Sequence, residues 1–112
     1  MSNQSLKQLN FQDLKLIIDD RLSQLQPDSY ITKLYQQGVD KIAQKVGEEA
    51  VEVVIASLLN SLKNKNQIDQ KYRQDLINEF CDLFFHSLIL MSASKISLEE
   101  IFTEFYHRNS KK

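Results

Sequence analysis

Lys41-Ile42-Ala43-Gln44-Lys45-Val46-Gly47-Glu48-Glu49-Ala50-Val51-Glu52-Val53-Val54 runs on through residues 55–62 with no proline and no cluster of turn residues. With side chains placed about 100° apart around a helix, Val46, Ala50, Val53, Val54 and Ser57 share one face, predicted to be core. Val51, Ile55, Leu58 and Leu59 carry apolar surface round most of the remaining circumference. Glu48, Glu49 and Glu52 fall on one strip, related by i,i+3 and i,i+4 spacings. A helix that is apolar on nearly every side is buried, in its own bundle and against another subunit.

Residues 70–93 repeat the arrangement. Glu79, Asp82 and His86 form a strip flanked by Phe80, Leu83, Phe84, Phe85, Leu88, Ile89 and Leu90. Working outward, a first helix is expected over residues 11–25, where Leu14, Ile17, Ile18, Leu22 and Leu25 recur at helical spacing and Pro27 prevents continuation. Asp28 or Ser29 caps a short second helix to Gln37, and Gly38 stops or kinks the chain before a third helix over 39–62. Residues 63–67 read as a solvated loop. Ser97 and Glu100 form a capping box for a last helix ending near Arg108. The expected fold is all-α, four to five helices in one domain spanning 1–112, with flexible ends at 1–10 and 110–112.

Composition narrows the function. The 112 residues include only two Gly and one Pro, which favours long helices over hairpins. Fourteen basic and fifteen acidic residues leave a net charge of −1, too little positive field for a nucleic-acid binder. The single Cys81, among Phe80, Leu83 and Phe84, is expected to be buried and inert and suits a reducing cytoplasm. No signal-peptide pattern precedes residue 11, and no apolar run is long enough to suggest a membrane span.

The acidic strips carry the chemistry. Glutamates at i,i+3 and i,i+4 are commonly just a solvated face. Two such strips on helices otherwise apolar are harder to dismiss, because carboxylates drawn together out of water repel and lose hydration. A divalent cation removes both costs. An all-oxygen donor set without clustered cysteines suits Mg²⁺ first and Mn²⁺ second. Glu48, Glu49, Glu52, Glu79 and Asp82 are therefore the candidate metal and catalytic residues. Lys33, Lys41 and Lys45, surface lysines in isolation, become candidate phosphate ligands beside a metal. His86 reads as a hydrogen-bonded core histidine that could orient Asp82. His107 and Arg108 suit the C-terminal end of a helix dipole.

These residues resemble a known family. Glu48-Glu49-x-x-Glu52 followed by Glu79-x-x-Asp82 is similar to the pattern of the MazG-like all-α nucleoside triphosphate pyrophosphohydrolases. Within that group, residues 41–54, the block Glu79-Phe80-Cys81-Asp82-Leu83-Phe84-Phe85-His86, Ser29-Tyr30 with Lys33-Leu34 and Gly38, and Ser97-Leu98-Glu99-Glu100 resemble phosphoribosyl-ATP pyrophosphohydrolases over residues 11–109. The resemblance implies hydrolysis of the α–β phosphoanhydride of phosphoribosyl-ATP, the second step of histidine biosynthesis. It also implies Mg²⁺ on the five carboxylates, triphosphate on Lys33, Lys41 and Lys45 with Arg108 as a further phosphate contact, and a homodimer. Ile31 stands where that family commonly has Thr, Phe85 where it has Tyr, and Lys95 where a loop Gly is frequent. Without the cyclohydrolase domain to which relatives are often fused, the chain is expected to be the standalone form. Competing readings are a housecleaning enzyme acting on dCTP or dUTP, a di-iron bundle, and a non-catalytic helical interaction module. The di-iron reading needs paired Glu-x-x-His motifs, whereas here Asp82 and His86 occur once, at i,i+4.

Overall fold

A computed structural model describes residues 8–110; of the ends expected to be flexible, 1–10 and 110–112, residues 1–7 and 111–112 lie outside the described residues, whereas Asn10 caps α1 and Ser110 closes α5. Five helices follow one another: α1 (Phe11–Gln24), α2 (Tyr30–Gln36), α3 (Val39–Lys63), α4 (Gln70–Ala93) and α5 (Leu98–Ser110). No strand occurs among the described residues, so the all-α expectation holds.

Local chemistry sets the boundaries. Asn10 opens α1 through a capping box, its side chain accepting from the Asp13 amide at 2.8 Å while the Asp13 carboxylate accepts from the Asn10 amide at 3.2 Å. Leu25 leaves the helix in the left-handed region at φ 49° and donates its amide to the Arg21 carbonyl. Of the two candidate caps for α2, Ser29 takes the role, accepting from the Thr32 amide. Gly38 sits at φ 100° as N-cap of α3. A Cβ there would meet nothing within 4 Å, so the backbone angle rather than crowding calls for glycine. Lys95, in the turn before α5, adopts φ 62°, which accounts for the glycine common at that place in the similar family. The capping box of α5 is present. Glu100 Oε1 accepts from the Ser97 amide at 2.8 Å, and the Ser97 hydroxyl accepts from the Glu100 amide at 3.1 Å.

The long helices α3 and α4 form a hairpin across residues 64–69 and make the most extensive contact of the fold. The core lies towards one end of it, where α1, α2 and the start of α5 close over the hairpin around Ile18, Ile31, Leu34, Ile42, Leu88, Ile89 and Leu98. Ile18, Ile42 and Ile89 have no exposed surface at all.

The rest of the hairpin is bare, which corrects two expectations. Of the predicted core face of α3, Val54 is 56% exposed, and the buried residues of that helix are Ile42 and Glu49. Cys81, expected to be buried, is exposed, because the apolar neighbours that suggested burial are themselves uncovered in one chain. By length and composition α4 could cross a membrane, with a mean hydropathy of 1.3 in its most apolar window. Its acids Glu79 and Asp82 instead meet Glu49 of α3, an arrangement costly in hydrocarbon and useful in water.

Ile89→Ala should destabilise the protein by about 2–5 kcal/mol, read as a lower urea midpoint with an unchanged slope.

Candidate metal and phosphate site

Helical spacing aims the acids at one another. On α4, Tyr72, Asp75, Glu79, Asp82 and His86 lie within one stripe. On α3, Glu49 and Glu52 lie on the facing stripe. Ligand oxygens of Glu49, Glu79 and Asp82 come within 4.8 Å of one another. Glu49 is buried, Glu79 partly so, and Asp82 opens to solvent. Glu52, exposed on α3, lies near enough to act on the Glu79 carboxyl.

Burial holds the Glu79 carboxyl above the usual carboxylate range, and the hydrogen bond to Glu52 and the charges of Glu52, Asp82 and Glu49 push it further the same way. The oxygen Oε1 of Glu79 is buried without any hydrogen-bond partner. An orphaned carboxylate oxygen among three other acids lacks a positive charge to complete it. The donor set, all oxygen and close-spaced, fits a hard divalent cation.

The remaining predicted residues divide. Glu48 is turned aside: Gln44 Nε2 donates to it at 2.9 Å and Lys45 Nζ lies 3.4 Å away. These two hydrogen bonds, that of Gln44 foremost, lower its pKa, while the bond to Glu48 raises that of Lys45. Lys45 also reaches to 3.9 Å of Glu49, which puts its ammonium at the rim of the acid cluster. Lys41 lies near enough to contribute to lowering Glu48. Lys33 is on the exposed side of α2. Arg108 is not brought to the cluster; it pairs with Glu104 at 3.0 Å on an exposed face of α5.

His86 is buried and hydrogen-bonded, as its pattern suggested, but its contact to Asp82 differs from the expected one. The ring Nδ1 lies 2.8 Å from the Asp82 backbone carbonyl. A carbonyl only accepts, so Nδ1 carries the proton, and in the neutral ring Nε2 accepts from the Tyr30 hydroxyl at 2.7 Å. Nδ1 is also 3.8 Å from Glu49 Oε2. Tyr30, to which the sequence reading gave no role, thus ties the start of α2 to the wall of the site. Its only advance signal was membership of the Ser29-Tyr30 motif.

Comparison with known proteins gives the family. The family model described as phosphoribosyl-ATP pyrophosphohydrolase matches residues 11–109. The chain belongs to the phosphoribosyl-ATP pyrophosphohydrolase family. A member from Clostridium acetobutylicum, named phosphoribosyl-ATP pyrophosphatase, is 42% identical over 95 residues, covering 85% of this chain and 76% of that protein. One of the same name from Pyrobaculum aerophilum is 36% identical over 98 residues, covering 88% and 93%. The histidine biosynthesis bifunctional protein HisIE of Oceanobacillus iheyensis is 43% identical over 84 residues, which span 75% of this chain but 34% of that longer protein. The chain is therefore an enzyme of the hydrolase class.

The raised pKa of Glu79 has a sign. The folded state binds its proton more tightly than the unfolded one, so metal-free stability should fall as pH rises from the ordinary carboxylate range through the raised value. Glu79→Gln should raise the melting temperature of the chelator-treated protein at pH 7 and abolish the further rise given by Mg²⁺. Scanning calorimetry with and without Mg²⁺ reads both effects, and a parent protein indifferent to Mg²⁺ would contradict the cation reading.

Proposed function

We propose that this chain hydrolyses phosphoribosyl-ATP to phosphoribosyl-AMP and pyrophosphate, the second step of histidine biosynthesis, using Mg²⁺ held by Glu49, Glu79 and Asp82 with Glu52 beside them. Family membership supports the substrate. The observation that carries the chemistry is the partnerless buried oxygen of Glu79 in a cluster of acids.

When bound, Mg²⁺ supplies neutralisation of phosphate charge and a more acidic water. The chain's own residues do the rest. A carboxylate of the cluster accepts the proton of the water that attacks the α-phosphorus, and the bond from that phosphorus to the bridging oxygen breaks as pyrophosphate leaves. Lys45, held at the rim by Glu48 and Glu49, meets the charge that grows on the departing oxygens, with Lys41 and Lys33 farther out along the triphosphate. Glu48 acts in this reading by orienting Lys45. The Tyr30–His86–Asp82 chain of hydrogen bonds fixes the backbone that carries Asp82.

The working unit in this proposal is an isologous homodimer of single-domain chains, in the cytoplasm and without nucleic acid. One chain alone is too open: its radius of gyration is 16.9 Å, against about 13 Å for a compact domain of this length. Val51, Val54, Leu58 and Leu62 make one exposed apolar stripe on α3, and Ile77, Phe80 and Phe84 make another on α4. Both lie away from the stripes that carry the acids, so a second chain can cover the apolar surface without filling the site.

Pyrophosphate release should be seen with phosphoribosyl-ATP and Mg²⁺, and not with dCTP, dUTP or ATP. Glu49→Gln should lower it ~100-fold or more. Turnover of a deoxynucleotide instead would assign the site to a housecleaning reaction. Leu58→Arg should convert the dimer to monomer in sedimentation velocity, and a parent that sediments as a monomer overturns the dimer.

A further inference from the structure

The acid cluster does not end the α3–α4 seam. Beyond Glu52 and Glu79 the two helices part to leave a cavity of about 240 Å³. Its α4 wall is Tyr72, Asp75 and Asn78, and Ile55 and Leu59 of α3 face them. This is smaller than the roughly 300–1,000 Å³ of sites that enclose a whole drug-sized ligand. It suits one ring system of a larger molecule whose remainder lies outside.

The position is informative. Tyr72, Asp75 and Glu79 follow one another at spacings of three and four on the stripe that continues to Asp82. Asp75 is therefore one turn, and Tyr72 two turns or ~10 Å, along the axis from Glu79. A nucleotide whose α-phosphate sits at the acids projects its ribose and base over such a distance. The opposite direction along the seam is closed by the Tyr30–His86 pair and by the core beyond it.

The chemistry is selective. A phenol ring above aliphatic side chains accepts a flat aromatic ligand, but the surroundings are negative: Glu52, Asp75 and Glu79 all line the space. The face of Tyr72 already attracts cations, with Lys71 Nζ at 4.9 Å and Lys63 Nζ at 5.8 Å from the ring centroid. Lys71 also pairs with Asp75 at 3.0 Å. Both side chains of that pair are well exposed, so it is weak and can be exchanged for a better-placed cation. Asn78 Oδ1 is engaged by Gln74 Nε2 at 3.0 Å, which leaves Asp75 as the principal acceptor.

An ordinary adenine is neutral at pH 7. An adenine alkylated at N1, as it is when it carries a second ribose there, is a much stronger base and holds a delocalised positive charge. We propose that this cavity is the base subsite of the enzyme, with Tyr72 stacked on an N1-alkylated adenine and Asp75 paired with its positive charge. Asp75 then acts as a specificity residue that separates the N1-ribosylated nucleotide from ATP. The proposal rests on the hydrolase reading for the placement of the phosphates, but it concerns recognition of the base.

A binding experiment separates the two. The probes are AMP and 1-methyl-AMP, which differ in the alkyl group and in the charge it brings. They are titrated calorimetrically into the Mg²⁺-loaded full chain at pH 7. The parent is expected to bind 1-methyl-AMP about tenfold or more tightly than AMP. Asp75→Asn should erase that preference while leaving AMP affinity within about twofold, and Tyr72→Leu should weaken both probes. Equal affinity of the parent for the two, or a preference that survives Asp75→Asn, overturns the subsite even if phosphoribosyl-ATP is turned over. Preference for 1-methyl-AMP that depends on Asp75, in a protein that fails to hydrolyse phosphoribosyl-ATP, keeps the subsite and overturns the reaction. Circular dichroism confirms that each variant is folded, and Asp75, being half exposed, is a tolerant place to substitute.

Discussion

Repulsion among carboxylates at the α3–α4 seam is the constraint to which the rest of the molecule answers. Glu49 is buried, and Glu79 is pressed between Glu52, Asp82 and Glu49 with one oxygen unpartnered. Charges so placed oppose the packing of the two helices that bear them. The hairpin tolerates this because its core lies elsewhere, around Ile18, Ile42 and Ile89, where α1, α2 and α5 close over it. The core is concentrated at one end of the hairpin and the acid cluster in its middle. A cation converts the repulsion into attraction, so binding and folding are linked there.

Each long helix presents different surfaces in different directions. The site stripe of α4 carries Tyr72, Asp75, Glu79, Asp82 and His86, while Ile77, Phe80 and Phe84 project the other way. The same division on α3 sets Glu49 and Glu52 apart from Val51, Val54, Leu58 and Leu62. In the proposed dimer a second copy of the chain would cover the apolar side and leave the seam open to water. The short elements serve the same end: α2 is held by Ser29 and brings Tyr30 to His86.

What could be seen in advance follows from the range of each interaction. Helix positions were legible because caps and breakers act within a few residues, and Ser97 with Glu100 and the start and end of α4 are where the pattern put them. That Glu49, Glu79 and Asp82 converge was legible because helical spacing on two separate helices restricts where they can point. Glu48 was not separable from them by spacing alone. Its direction depends on the side-chain bonds to Gln44 and Lys45. The Tyr30–His86 bond joins residues 56 apart, which no local pattern reveals. Cys81 illustrates the reverse error: apolar neighbours signal burial, but Phe80 and Phe84 beside it are themselves exposed in the single chain. Val54 was misplaced for the same reason.

Whether the seam holds a divalent cation is decided by anomalous diffraction from crystals soaked in Mn²⁺. A manganese peak is expected, bounded by Glu49, Glu79 and Asp82, with Glu79 Oε1 among its ligands. A seam without such a peak under saturating Mn²⁺, its acids relieved by protonation instead, would contradict the cation reading.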